Sequence, residues 1–221
     1  MGKYLDLEGT KYLYKKMKSY VDTETSQINE KIYKAHGVVS VSVSPTVIET
    51  GVDTQVTVTN KVTLSGDTFT PKSISVKEGS TQVSSSPNGS VQRTIKATTT
   101  YTADVTFIDG VSKSASATVT AVYPMYFGGN SSGTLDSAAV LALTKQSLKT
   151  SPNGSYTVAV TQGQYLWLCV PSSMKINKVT SSGFDVPMQA AATVAVDGKG
   201  NYSCYRSSSQ FNAGSVNIVI S

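Results

Sequence analysis

The chain has 221 residues and a formal net charge of +5; Ser and Thr make up about 27% of it and charged residues only 15%. One histidine, His36, and two cysteines, Cys169 and Cys204, exclude a multi-histidine metal site, a four-ligand structural zinc site and a disulfide-dense scaffold. Hydrophobic residues at 39% suffice for a packed core, and the Val, Thr and Ser balance favours strands.

The positive charge comes from 17 Lys and only 2 Arg. Lysines dispersed among acids make a solvated surface, and Arg is the residue that recognises phosphates and bases in a bidentate manner, so no nucleic-acid partner is expected. The opening MGKYLDLEGTKYLYKK has no apolar h-region, so no signal peptide is read there. No apolar run approaches the roughly 18 residues of a membrane span, so no membrane insertion is expected. Asp6 occupies the position where a myristoylation pattern needs Ser or Thr.

Along the chain, Leu13, Met17, Val21, Thr25, Ile28 and Ile32 recur at helical spacing and form a mostly apolar stripe. The pattern predicts a helix of about 25 residues, capped by Thr10, with His36 in its last turn and Gly37 ending it. Gly9 is read as a break, which leaves Tyr4 to Leu7 as a separate extended piece. A narrow apolar stripe with no partner in its own segment must pack on another domain or on copies of itself. Residues 1–37 are therefore read as an anchor and oligomerisation segment, with Leu5, Leu7, Leu13, Met17, Val21, Ile28 and Ile32 as its contact residues.

From residue 38 the period changes to two. Val39, Val41 and Val43 alternate with serines, Val56 and Val58 with threonines, and Ile74 and Val76 with serines; Val105, Phe107, Ala115, Ala117, Val119 and Ala121 continue the rule. Turn residues at Glu49-Thr50-Gly51, Ser65-Gly66-Asp67, Lys77-Glu78-Gly79, Pro87-Asn88-Gly89 and Asp109-Gly110 punctuate about seven strands. Residues 38–123 read as an immunoglobulin-like β-sandwich. Tyr101, two residues before Ala103, stands where such domains carry a tyrosine corner, and it is a structural residue on this reading.

Residues 124–133 (PMYFGGNSSG) read as a linker, and 134–149 as a short helix capped by Asp136 or Thr134. Strands follow at 156–160, 165–170, 176–180, 192–196, 202–206 and 216–220, so that 134–221 forms a small β-rich domain. The pentapeptide Ser86–Ser90 recurs at Ser151–Ser155 and is read as turn chemistry used twice. The fold class is thus mainly β: an amphipathic helix, a sandwich and a C-terminal β domain.

Catalytic chemistry finds little to stand on. One histidine at a helix end and no nucleophile elbow do not make a Ser/His/Asp triad. The C-terminal domain holds only Asp136, Asp185 and Asp197 as acids, Asp197 in a turn, which is a poor basis for a glycosidase. No phosphate loop and no cofactor site is visible. Cys169 and Cys204 lie in two predicted strands, as a disulfide or as a pair of buried thiols. Tyr165, Trp167, Tyr202, Tyr205 and Arg206 are the most suggestive set. On a wet face they form a stacking surface for sugar rings; otherwise they belong to a core or an interface.

The run Lys3-Tyr4-Leu5-Asp6-Leu7-Glu8-Gly9-Thr10-Lys11-Tyr12-Leu13, followed by Lys16-Met17-Lys18-Ser19-Tyr20-Val21-Asp22, resembles a leader on structural proteins of phages of gut Bacteroidetes and Firmicutes. The pattern differs at Thr10, where those proteins carry an apolar residue, and at Tyr14, where they carry Trp. The stretch Ala121–Gly128 and the C-terminal GQYLWLCVP, SGFDVPM and NYSCYRS are similar to the same modular set. The resemblance implies a head- or tail-fibre-like virion protein, trimeric, bound to other capsid or tail proteins. It transfers no catalytic residue. The expectation is a non-enzymatic virion component, made in the host cytoplasm, with a host-surface glycan as candidate ligand of its tip. A bacterial cell-surface adhesin or carbohydrate-binding module is the alternative.

Overall fold

The computed structural model describes residues 7–33, 35–64, 68–190, 192–212 and 214–221. The fold is mainly β. Two compact units are distinguished: one holds the described residues of Met1–Ser42, Val58–Val91 and Thr100–Ala117, the other those of Val43–Thr57, Gln92–Thr99 and Thr118–Ser221. No described helix is long and apolar enough to cross a membrane.

The chain opens with helix α1 (Leu7–Tyr33). It starts earlier than the pattern predicts, so Leu7 is helical, Gly9 is not a break and Thr10 is not a cap. A single glycine costs about 1 kcal/mol within a helix, too little to stop an element of 27 residues. Exposed pairs along it, Glu8 with Lys11 at 2.8 Å and Lys18 with Asp22 at 2.7 Å, each contribute a few tenths of a kcal/mol. Residues Tyr4, Leu5 and Asp6 lie outside the described residues, as do the Ser65-Gly66-Asp67 turn and the side chain of Ile32.

Strands β1 (Ala35–His36), β2 (Val38–Ser44), β3 (Val47–Glu49), β4 (Thr54–Thr63), β5 (Thr68–Phe69), β6 (Pro71–Glu78), β7 (Thr81–Ser84), β8 (Asn88–Ile95), β9 (Thr99–Phe107) and β10 (Ser112–Val122) follow. Sheets of order β3-β10-β9-β6-β7 and β2-β4-β8 make the sandwich, and β1 pairs with β5. The period-two pattern is visible in burial. Tyr101, Ala103, Val105 and Phe107 of β9 are buried while Thr102, Asp104 and Thr106 between them are half-buried, and Val56, Val58 and Val62 of β4 are buried. Asn60 takes a buried place in the same row because its amide donates to the Ser86 carbonyl at 2.7 Å. In the first unit, Val62, Phe69, Val105 and Phe107 form the core, flanked by Val39 and Ile74.

His36 is not in a last helical turn. It sits in β1, paired in parallel with Phe69. Its ring stacks on Phe69 at 5.0 Å and meets the edge of Phe107 at 4.9 Å, and Nε2 lies 2.9 Å from Asp109 Oδ2. These aromatic contacts, available only in an extended chain, outweigh one more turn of helix. Desolvation works to raise the Asp109 pKa. Hydrogen bonds from His36 and from the Val111 N–H, with the attraction of His36, outweigh it and hold the carboxyl below its ordinary range. Gly37 is a close-approach residue rather than a helix cap, since a Cβ there would stand 2.7 Å from Leu64 Cδ2 and 3.0 Å from the Thr63 carbonyl oxygen.

The remaining elements are β11 (Tyr126–Asn130), α2 (Ser137–Ala142), β12 (Thr144–Lys145), β13 (Gly154–Val158), β14 (Tyr165–Pro171), β15 (Val179–Ser181), β16 (Phe184–Asp185), β17 (Ala192–Val196), β18 (Gly200–Arg206) and β19 (Val216–Ile220). They form two antiparallel sheets, β12-β11-β14-β18-β17 and β13-β19-β15-β16. Phe127, Leu166, Leu168 and Val170 of the first share a core with Tyr156, Val158, Val179, Ile218 and Ile220 of the second. On its other face the five-stranded sheet buries Tyr126, Trp167, Cys169, Tyr202 and Cys204 with Val140 and Leu143. Strand β14 is therefore covered on both faces, which is why it reads as an almost unbroken apolar run.

Two expectations change here. The stretch 124–133, expected as a linker, contains strand β11, which runs antiparallel between β12 and β14. Its Gly-Gly pair hid the strand, and packing demands it: a Cβ on Gly129 would lie 2.9 Å from Val160 Cα. The helix expected over 134–149 spans only 137–142. Asp136 caps it, its Oδ1 accepting from the Ala139 N–H at 2.8 Å. The repeated Ser-Pro-Asn-Gly-Ser runs directly into β8 and into β13 instead of making hairpin turns, and of its two glycines only Gly154 has positive φ (+140°).

Candidate functional site

Among the expected contact residues of α1, Leu7, Leu13, Met17, Val21 and Ile28 are all exposed, between 48% and 70%. Tyr12, Tyr14 and Tyr20 are exposed on the same helix. This is a large apolar surface left in water by a single copy of the chain.

The aromatic set of the C-terminal region does not form one surface. Alternation along β18 turns Tyr202, Cys204 and Arg206 to the face of the sheet under α2, and Tyr205 to the other. Trp167 is 2% exposed and Tyr202 is fully buried, so neither offers a sugar a stacking face. The Tyr202 hydroxyl donates to the Pro124 carbonyl at 2.8 Å, and burial pushes its pKa above the ordinary phenol value. Tyr165 is half-buried, with the Arg206 guanidinium over its ring at 4.4 Å. Arg206 donates to the Gly133 carbonyl at 3.0 Å and to Gln189 Oε1 at 2.6 Å. The pair is thus held by its own contacts. Cys169 and Cys204 face each other in register on β14 and β18 and are joined as a disulfide.

A charged cluster that the sequence does not announce centres on Glu49, at the end of β3. Its carboxylate accepts from Lys199 Nζ at 2.8 Å and from Lys145 Nζ. Lys199 stands in the tight β17–β18 turn, between Gly198 and Gly200, both with positive φ. Desolvation works to raise the Glu49 pKa, but the two lysine hydrogen bonds and charges leave it lowered. The bond to Glu49 is the main cause that raises Lys199, against desolvation. Glu49's contribution to stability is therefore complete above its unfolded pKa and is lost as pH falls through the lower folded value. Lys199's is complete below its unfolded pKa and is lost as pH rises through the higher folded value. Glu49→Gln is expected to cost about 1–3 kcal/mol at neutral pH, measured by urea unfolding. The difference from the parent shrinks as pH falls below about 4.5, the ordinary value for Glu. A difference that persists in acid shows the cost is not one of charge.

A groove of about 350 Å³ lies beside the β15–β16 hairpin. Ile176, Val179, Val186, Met188 and Tyr205 line it with apolar surface, and Asn177, Lys178 and Asp185 with polar groups. The Tyr205 hydroxyl accepts from the Ile176 N–H at 3.4 Å. Lys178 Nζ is 2.8 Å from Asp185 Oδ1. Of the aromatic set singled out in the sequence, only Tyr205 belongs here. The others in the groove carry no motif; the one signal for the hairpin beside it is the Ser182-Gly183 pair between two short strands. No family model matches the chain, and neither a curated protein nor a solved structure does.

Proposed function

We propose that the chain is a non-enzymatic virion structural protein of fibre or decoration type. It assembles as a homo-oligomer, a trimer being favoured, through helix α1. Its N-terminal segment attaches it to capsid or tail proteins, the sandwich is a spacer and the C-terminal β domain is the tip that meets the host surface. Weak contacts per subunit are strengthened by several copies on one particle.

The observation that supports the self-assembly in this reading is the exposed stripe of α1. Leu7, Tyr14, Val21 and Ile28 recur at intervals of seven and are exposed in the single chain, with Leu13 and Met17 beside them. One apolar position per seven, with Met17 three residues on from Tyr14, makes a narrow seam by which helices can pack on copies of themselves. Light scattering on the full chain is expected to give the mass of a trimer, and Val21→Asp with Ile28→Asp the mass of a monomer. Both side chains are exposed in the single chain, so the strand signal in circular dichroism stays native. An unchanged oligomer removes α1 from assembly. Co-sedimentation of the full chain with purified particles tests the virion reading itself.

A further inference from the structure

We propose that the groove beside the β15–β16 hairpin binds a neutral saccharide. Asn177, Lys178 and Asp185 would bond its hydroxyls, and Tyr205 and Met188 would meet its apolar ring face. This rests on the reading of the C-terminal domain as the tip and names what that tip recognises.

Size is the first ground. At about 350 Å³ the groove falls at the small end of pockets that hold small molecules. A stable protein partner needs about 800 Å² of surface on each side. The groove shares Val186 and Pro187 with a second hollow of about 110 Å³, bordered by Gln210 and Phe211.

Charge and hydrogen bonding are the second ground. Lys178 and Asp185 neutralise one another at 2.8 Å, so the rim holds a cation and an anion but no net charge. A sugar hydroxyl both donates and accepts, and a paired ammonium and carboxylate serve both functions. A lysine already paired with a carboxylate attracts an anionic ligand less than a free one. The Asn177 amide has no hydrogen-bond partner among the described residues and adds a second donor–acceptor group to the same rim.

Backbone geometry is the third ground. Ser181 pairs with Phe184 across a two-residue turn, Ser182-Gly183. Both turn residues have positive φ, +50° and +85°, and Ser182 is the one non-glycine residue in that region among the described residues. A residue with a Cβ held there carries a steric cost. The turn fixes the strand pair in which Asp185 stands opposite Thr180, and so fixes Asp185 at the groove.

Saturation-transfer NMR on the full chain would use methyl glycosides of glucose, galactose and mannose, N-acetylglucosamine, their β-linked disaccharides, and glucuronic acid as the charged contrast. At least one neutral sugar is expected to receive saturation at millimolar concentration. Asn177→Ala and Asp185→Asn, both at exposed positions, would each weaken it about tenfold, and Phe184→Ala and Tyr165→Ala, outside the groove lining, would not. A neutral sugar bound equally by the parent, Asn177→Ala and Asp185→Asn overturns the groove as its site. Silence from all neutral sugars, or preference for glucuronic acid, overturns it as well. Failure of the wider virion reading shows separately, as a chain that does not co-sediment with particles.

Discussion

Trp167→Ala lowers the unfolding free energy by about 3–5 kcal/mol, while Tyr165→Ala, two residues away on the same face of β14, costs about 1 kcal/mol or less. The difference follows from burial. Trp167 is packed among Tyr126, Val140, Leu143 and Tyr202 under α2, and removing its indole leaves a cavity that a covered sheet cannot close. Tyr165 is half-buried, and without its ring the Arg206 guanidinium keeps its bonds to Gly133 and Gln189. Trp167→Phe separates area from hydrogen bonding. The indole Nε1 is buried and has no partner among the described residues, so its removal forfeits apolar contact but also relieves an unpaired donor. A net cost of about 1 kcal/mol or less is expected for it. Urea unfolding of the three variants measures all of this; a Trp167→Ala variant as stable as the parent would place the indole outside the core.

The same strand shows what a sequence discloses and what it withholds. The pattern of β14 announces a buried strand, because Leu166, Leu168 and Val170 on one side and Trp167 and Cys169 on the other are all apolar. It does not disclose that α2 covers the second face. Without that, a binding surface stays open for Trp167 beside a core or interface place, and the structure puts it in the core. Alternation was enough to read β2, β4, β9 and β10, where each strand has one wet face. It failed for β11, whose glycines are required by the close approach of Val160 and Leu143 and so carry no pattern at all. Local spacing places His36 at a helix end, whereas its partners Phe69, Phe107 and Asp109 lie more than thirty residues away along the chain. The groove was hidden for the same reason: Asn177, Lys178, Asp185 and Tyr205 come from separate segments and meet only after the sheets have formed.

The Cys169–Cys204 disulfide is expected to contribute about 2–4 kcal/mol. It spans 35 positions, and closing a loop of that length in the unfolded chain accounts for the upper end of the range on the chain-entropy model. Both cysteines are buried in the layer that holds Trp167 and Tyr202, and they face each other across β14 and β18, the strand pair at the heart of the five-stranded sheet. Reductant therefore reaches the bond only when those strands part. Three results follow from that placement. The native chain resists thiol labelling, its unreduced mass is two hydrogens below that of the reduced chain, and unfolding with reductant present occurs at lower urea than without it. Cys169→Ala with Cys204→Ala should reproduce the reduced curve, because the apolar contacts of the strand pair are otherwise retained. Two thiols titrated on unfolding without any reductant would remove the cross-link. A structural disulfide does not normally persist in a reducing cytoplasm. On the virion reading the bond is thus expected to close after release, so that chain isolated rapidly under thiol-trapping conditions is reduced and chain on purified particles is oxidised. The stability gain then arises once the tip meets the oxidising medium in which it must last.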